Sequence, residues 1–259
     1  MSSAWADKSY LTGVQYSNDA NLAARQSIYA YQRPPIDIVG TVADLIGAEE
    51  TVADVGCGNG AYLAALAARG QQGHVLGVDM SPGMLAAARQ RVGYGLVAAD
   101  ATALPLRDSV ADVTLAMHML YHVPSPADAV RELRRITRPG GRLIVGLNGD
   151  DHLVQFRSLA TAAIADIGQP EITVWHDRLT LDQGEALLRT VFADVTRHDL
   201  VSALQLPGPE PAVAYLRSAI VTGLLADPEP LIAAFTRRYQ NDTGVTSGVT
   251  THSGFLVCA

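Results

Sequence analysis

Cysteine, lysine and long apolar runs are what this sequence has least of. Its two cysteines, Cys57 and Cys258, exclude a disulfide framework, and neither has a metal-ligand neighbour at C-x-x-C spacing. Lys8 is the single lysine among nineteen basic residues, which reads as compositional bias rather than chemistry. No apolar stretch approaches the ~18 residues of a membrane span. The opening "MSSAWADKSY" also lacks the basic patch and apolar run of a secretory signal. A soluble, unanchored chain in a reducing cytoplasm is the expectation, with no membrane partner. The formal charge is −7, and the densest basic run, "RELRR" at Arg131–Arg135, falls on an amphipathic helix pattern and reads as a solvated face. A nucleic-acid binder collects phosphates on a basic face, so nucleic acid is not an expected partner.

What is present is an α/β alternation. At 259 residues, 48% hydrophobic and 17% charged, the chain suffices for one large domain carrying a cap. Strands are expected at "TVADVG" (51–56), "HVLGVDM" (74–80), "YGLVAAD" (94–100), "VADVTLAMHML" (110–120) and "RLIVGLN" (142–148), the last following an "RPGG" turn at 138–141. Helices lie between them. Ser81-Pro82 caps one, and Ser125-Pro126 with Asp128 caps another. Further strands are expected at "ADVTRHDLV" (193–201) and "SGFLVCA" (253–259). The fold class is therefore α/β, a Rossmann-like seven-stranded, mostly parallel sheet with a C-terminal antiparallel hairpin and a helical cap. Residues 1–48, with helices over 19–31 and 34–47 split at Pro34-Pro35, form an N-terminal cap. Residues 49–259 form the core, with helical insertions at about 149–190 and 207–247.

The chemistry concentrates at three successive strand ends. The first strand runs into "DVGCGNG", where Gly56 and Gly58 let a ligand approach the backbone and the next helix presents free amides. The spacing is G-x-G-x-G through Gly60, not the G-x-G-x-x-G of dinucleotide enzymes. Asp79 ends the second strand about twenty positions on, where a carboxylate accepts from ribose hydroxyls. Asp100 ends the third strand, placed to accept from an adenine amino group while the Ala101 amide donates to the ring. Met80 offers a soft apolar surface for the adenine face.

With "VLGVDMSPGML" (75–85), "AADATALPLRDSVADVTLAMHMLYHVPSP" (98–126) and "ELRRITRPGGRLIVG" (132–146), the segment "VADVGCGNG" (52–60) resembles the class I S-adenosylmethionine-dependent methyltransferases, in particular the small-molecule type 11 group. The resemblance implies an enzyme that uses S-adenosyl-L-methionine and releases S-adenosyl-L-homocysteine. It implies that Gly56, Cys57, Gly58 and Gly60 cradle the methionine part of the cofactor. Asp54 would reach its amino group directly or through water, and Asp79 would hold the ribose. Met80, Asp100 and Ala101 would meet the adenine, and the backbone around Met117 would close the pocket near the sulfonium.

His118, at the carboxyl end of the fourth strand, is the expected catalytic base. His122, four residues on, is an expected substrate-binding or structural group. The His118/His122 spacing lacks a third ligand, so no metal is expected. Tyr16 in the N-terminal cap, and Glu171 and Trp175 in "PEITVWHDR" (170–178), are the other expected substrate contacts. The segment around Trp175 serves either as a substrate wall or as a lid closing on itself. Arg25 and Tyr29, on or near the same N-terminal helices, have two readings: contact with the cofactor carboxylate or the substrate and, the weightier one, packing or surface groups. The expected partner is a small, apolar acceptor, with a homodimer left open. A non-catalytic S-adenosylmethionine-binding protein and a nicotinamide-dependent oxidoreductase are the competing readings.

Overall fold

In the computed structural model, residues 6–170 and 179–259 are described. The strands are β1 (Gln32–Arg33), β2 (Val52–Val55), β3 (Val75–Asp79), β4 (Gly95–Ala98), β5 (Ala111–Met117), β6 (Thr137–Asn148), β7 (Val195–Leu204) and β8 (Val249–Cys258). They form one sheet in the order β1-β7-β8-β6-β5-β2-β3-β4. β2 to β6 pair in parallel. β8 then runs antiparallel between β6 and β7, completing the expected seven strands. β2 and β5 are nearly continuous in apolar residues because helices cover both faces of a parallel sheet.

The principal departure from expectation lies at Pro34-Pro35. The residue before a proline is pushed toward extended backbone. The chain leaves α2 (Ala20–Ser27) through a 3₁₀ turn ending at Tyr31, and Gln32 and Arg33 then pair with Leu204 and Ala203 as an eighth strand. The second N-terminal helix is correspondingly short, α3 (Ile38–Ala43). "RPGG" does not precede the strand cleanly. Thr137 pairs with Ala111 and Arg142 with Val113, so residues 138–141 bulge out between two paired positions of β6.

Helices α4 (Ala61–Ala68), α5 (Pro82–Arg89) and α6 (Pro126–Ile136) follow β2, β3 and β5. Ser81 caps α5 as expected, its hydroxyl accepting from the Met84 amide at 3.2 Å. Ser125 makes no such bond at α6, which starts on Pro126 with Asp128 in its first turn. The insertions are α7 (Val154–Asp166) and α8 (Leu181–Leu188), then α9 (Pro209–Arg217), α10 (Ile220–Gly223), α11 (Glu229–Asn241) and α12 (Thr243–Ser247).

Each sheet face has its own apolar core, one built on Leu133, Ile136, Leu143 and Leu188, the other on Leu63, Leu66, Leu115 and Ile144. A third core lies off the sheet. There Leu11 and Ile28 of the N-terminal segment pack with Phe156, Leu159, Leu216 and Phe235 of the insertions. The N-terminal segment and the insertions are thus welded into one roof, which positions side chains over the carboxyl ends of the strands. Among the described residues no helix is long and apolar enough to cross a membrane.

Candidate active site

A cavity of about 520 Å³ opens at the carboxyl ends of β2 to β5 and is roofed by the N-terminal segment. This is where open α/β sheets bind ligands. Of the residues expected from sequence, Gly56, Cys57, Gly58, Asp79, Met80, Asp100 and Ala101 line it, as do Met117, His118, Tyr16 and His122. Gly60 lies behind the wall as the N-cap of α4, and Asp54 is buried beneath it. Glu171 and Trp175 lie outside the described residues.

The glycine loop takes its shape from left-handed backbone at alternate positions: Gly56, Gly58 and Gly60 have φ of 73°, 54° and 79°. Gly56 is the most constrained, since a Cβ there would lie 2.6 Å from Cβ of Met119. The Gly56 and Cys57 amides donate to the Val78 carbonyl at 2.7 and 3.0 Å, tying the loop to β3. Among the described residues no side chain caps α4, so its first-turn amides are open toward the loop. Burial, with the charges of Asp54 and Asp79, pushes the Cys57 thiol well above the usual thiol range, so it is a packing group and not a nucleophile.

Three carboxyl groups sit in three different environments. Asp79 accepts from the Gly58 amide through Oδ2 and from the Ser81 amide through Oδ1, both at 2.8 Å. Burial still raises its pKa against those bonds. Ser81 and not Asp79 caps α5, which leaves the Asp79 carboxylate facing the cavity. Asp54 is 1% exposed, and neither of its oxygens has a hydrogen-bond partner among the described residues. Burial, then the charge of Asp79, pushes its pKa up to about 7. Asp100 accepts from the Thr102 amide at 2.9 Å and its hydroxyl at 2.8 Å, and pairs with the Lys8 ammonium. Partial burial pulls its pKa upward, but these bonds outweigh it and hold the carboxyl below its ordinary value. Lys8, read from sequence as compositional bias, is therefore part of the cavity wall.

The roof supplies two tyrosine–histidine pairs. The Tyr16 hydroxyl lies 2.9 Å from Nε2 of His122, whose ring meets those of Tyr16 and Tyr121 edge-on. The Tyr16 carbonyl accepts from the Ser81 hydroxyl at 2.6 Å, so the same residue touches the end of β3. Gly83 permits this approach: a Cβ there would lie 2.0 Å from the Ser17 carbonyl oxygen. The second pair is Tyr29 with His152, at 3.1 Å. The His252 amide donates to Nδ1 of His152 at 3.1 Å, so the neutral ring carries its proton on Nε2 and donates to Tyr29. His118 has left-handed backbone, φ 55°, unusual for a non-glycine residue, and its amide donates to the Gly146 carbonyl at 2.9 Å. Such strain is retained where a side chain must be aimed. Gln26 adds a tie that sequence reasoning missed, its side chain accepting from the Asn59 amide group at 3.3 Å and holding α2 over the glycine loop. Among the described residues no group of three or more His, Cys, Asp or Glu is placed to hold a metal ion.

Residues 53–145 match the family described as Methyltransferase domain, of the type 11 group. A ubiquinone biosynthesis O-methyltransferase of Pseudomonas paraeruginosa is 37% identical over 105 residues, 38% of this chain and 44% of that protein. The chain spans about half or less of the length of the curated relatives it matches. Among solved structures, a protein of Anabaena variabilis provisionally named a methyltransferase from an antibiotic biosynthesis pathway superposes with a TM-score of 0.64 at 18% identity, covering 86% of this chain and 96% of that one. A phosphoethanolamine N-methyltransferase of Haemonchus contortus, solved with S-adenosylhomocysteine, superposes with a TM-score of 0.58 at 16% identity, covering 98% of this chain and 59% of that one. At these identities the structural likeness speaks to the fold.

Proposed function

We propose that the protein, whose residues 53–145 match a methyltransferase domain of the type 11 group, transfers a methyl group from S-adenosylmethionine to an O, N or C atom of a small, largely apolar acceptor. One observation carries this reading: the left-handed glycine loop, the amide-pinned carboxylate of Asp79 and Asp100 at the next strand end meet at a single cavity.

The residues fit the cofactor. The orphaned, buried carboxyl of Asp54 lacks only a cationic or donor partner, which an α-ammonium group supplies. Each Asp79 oxygen has spent one lone pair on an amide and keeps another for a ribose hydroxyl. Met80 would pack on the adenine, and Asp100 and the Ala101 amide would meet its edge. The backbone of Gly56, Cys57, Gly58 and Met117 would wall the methionine end. When bound, the cofactor supplies a methyl group on a positively charged sulfur. The protein therefore works mainly by orientation, which is worth up to ~7–11 kcal/mol.

The acceptor lies under the roof, against Leu11, Leu22, Val39 and Tyr121, walls suited to an apolar body. Where the acceptor carries a proton, the Tyr16–His122 pair removes it. This moves the weight from His118, which the proposal keeps as a positioning residue beside Met117. A cytoplasmic location belongs to the same proposal.

The test is calorimetric titration with S-adenosylhomocysteine and with NADH, followed by transfer of tritium-labelled methyl from S-adenosylmethionine to a panel of phenols, carboxylated phenols and amines. Binding of S-adenosylhomocysteine and labelling of at least one panel member are expected. Binding of NADH in its place would overturn the reading.

Asp54 makes the cofactor interaction pH-dependent. Its folded pKa of about 7 lies above its ordinary 3.8, so the cofactor-free fold favours the protonated carboxyl. That stabilisation is complete below the ordinary value and is lost as pH rises through about 7. An incoming ammonium reverses the preference and expels the proton. Titrations at pH 6 in buffers of different ionisation enthalpy should show a proton released on binding, with little release at pH 8. Asp54→Asn should abolish the difference and flatten the pH dependence of cofactor-free stability. Equal release at both pH values in the wild type would refute the assignment.

A further inference from the structure

α2 and the 3₁₀ turn that follows it place Leu22, Arg25, Gln26 and Tyr29 at helical spacing, and all four line the cavity. Arg25 differs from the rest in being incompletely satisfied. Its Nη1 donates to the Ser218 carbonyl at 2.6 Å, and its guanidinium carbon stands 5.3 Å from the centroid of the Tyr16 ring. Its Nη2 is shielded from solvent and has no hydrogen-bond partner among the described residues. Among the described residues two permanently charged cations, Lys8 and Arg25, line the cavity. Lys8 is paired with Asp100, whereas Arg25 has no ion-pair partner among the described residues. A guanidinium nitrogen stripped of water and left unpaired is costly, and such groups are rare unless a ligand completes them.

We propose that Arg25 forms a subsite for a carboxylate borne by the otherwise apolar acceptor, an inference that rests on the methyl-transfer reading of this cavity. The anion class follows from the charge count. One unpaired guanidinium with an aromatic ring on its face suits a planar monoanion, whose oxygens meet the free nitrogen edge-on. A phosphate dianion would need a second cation, and the other cavity cation is engaged by Asp100. Tyr16 lies under the guanidinium and bonds His122 through its hydroxyl, so the anchor and the proton-accepting pair share one side chain. An aromatic acid is thereby held by its carboxylate with its body turned along Tyr16.

The same chemistry has a second source, the cofactor's own carboxylate, because Gln26 beside Arg25 reaches the glycine loop at Asn59. The probes are 4-fluorobenzoate and its neutral amide, 4-fluorobenzamide, with affinities read by fluorine NMR on protein saturated with S-adenosylhomocysteine and on protein without it. The acid should bind the wild type about tenfold tighter than the amide, the scale of one charge-assisted hydrogen bond. Arg25→Met should erase that preference while leaving amide binding unchanged, and Arg25→Lys should retain part of it, which separates lost charge from lost fold. Cofactor affinities are measured in parallel with S-adenosylhomocysteine and with 5′-methylthioadenosine, which lacks the amino-acid end. No preference for the acid in the wild type overturns the subsite. So does an Arg25→Met variant that loses S-adenosylhomocysteine but not methylthioadenosine, since Arg25 would then serve the cofactor. If the wild type fails to bind S-adenosylhomocysteine at all, the methyl-transfer reading falls, and the acid–amide comparison without cofactor still decides the subsite.

Discussion

Replacing Asp79 with alanine is expected to weaken S-adenosylhomocysteine binding by ~10²–10⁴-fold and to lower Tm. Two hydrogen bonds from ribose hydroxyls to an ionised acceptor are lost, each worth about 1.5–3 kcal/mol in a buried site. The same carboxylate holds the Gly58 and Ser81 amides at 2.8 Å, so its loss also strands two backbone donors and frees the glycine loop from the end of β3. Each stranded amide costs about 1–3 kcal/mol, and in a chain of this size each kcal/mol lowers Tm by roughly 2–4 °C. A ligand comparison separates the two effects. The wild type should prefer adenosine to 2′,3′-dideoxyadenosine, and Asp79→Ala should lose that preference at a temperature where circular dichroism shows it folded. An unchanged affinity, or a preserved preference for the hydroxylated nucleoside, removes Asp79 from the ribose.

The parts of the site read from sequence are those built from residues close together in the chain. A glycine loop joins one strand to the next helix, Asp79 ends β3, and Asp100 lies two residues past the end of β4. Local pattern therefore placed them, and the sheet brought them to one cavity. Asp54 was legible as an acid but not as an orphan, because its isolation depends on every neighbour that covers it. The roof was much less legible. Lys8 against Asp100 and Gln26 against Asn59 join residues far apart in sequence through helices whose register no motif announces. Arg25 read as a packing or surface group because no motif ties its helix to the strand ends. Only the third apolar core, which welds the N-terminal segment to α7, α9 and α11, turns that face inward. The eighth strand escaped notice for a related reason: two residues before a proline carry no periodicity, and they pair only because β7 leaves an open edge beside them.

That dependence on the roof makes the choice of base the most discriminating remaining experiment. Loss of the His122 imidazole is expected to lower kcat ~10²–10⁴-fold toward a phenolic acceptor at neutral pH, leaving S-adenosylhomocysteine affinity within about threefold. The argument is geometric. A general base has to reach the proton it removes and be held in orientation, and His122 meets the Tyr16 hydroxyl at 2.9 Å while wedged by the Tyr16 and Tyr121 rings. When Nε2 accepts from Tyr16, the phenol oxygen is left electron-rich toward the acceptor, and a proton taken there passes on to the imidazole. Tyr16→Phe keeps the ring beneath Arg25 and removes only the relay, so its loss should be smaller, about 10–100-fold. His118→Ala should cost less than about tenfold, because the proposal gives His118 a positioning role beside Met117 and alanine keeps a Cβ on the same left-handed backbone. The pH profile adds a readout that a merely structural role would not move. Without His122 the residual rate should climb tenfold per pH unit as the acceptor ionises unaided, whereas the wild-type rate levels off once the base is deprotonated. A larger fall for His118→Ala than for His122→Ala would return the base to the end of β5. A flat profile in every variant would mean that the acceptor reaches the cavity already deprotonated.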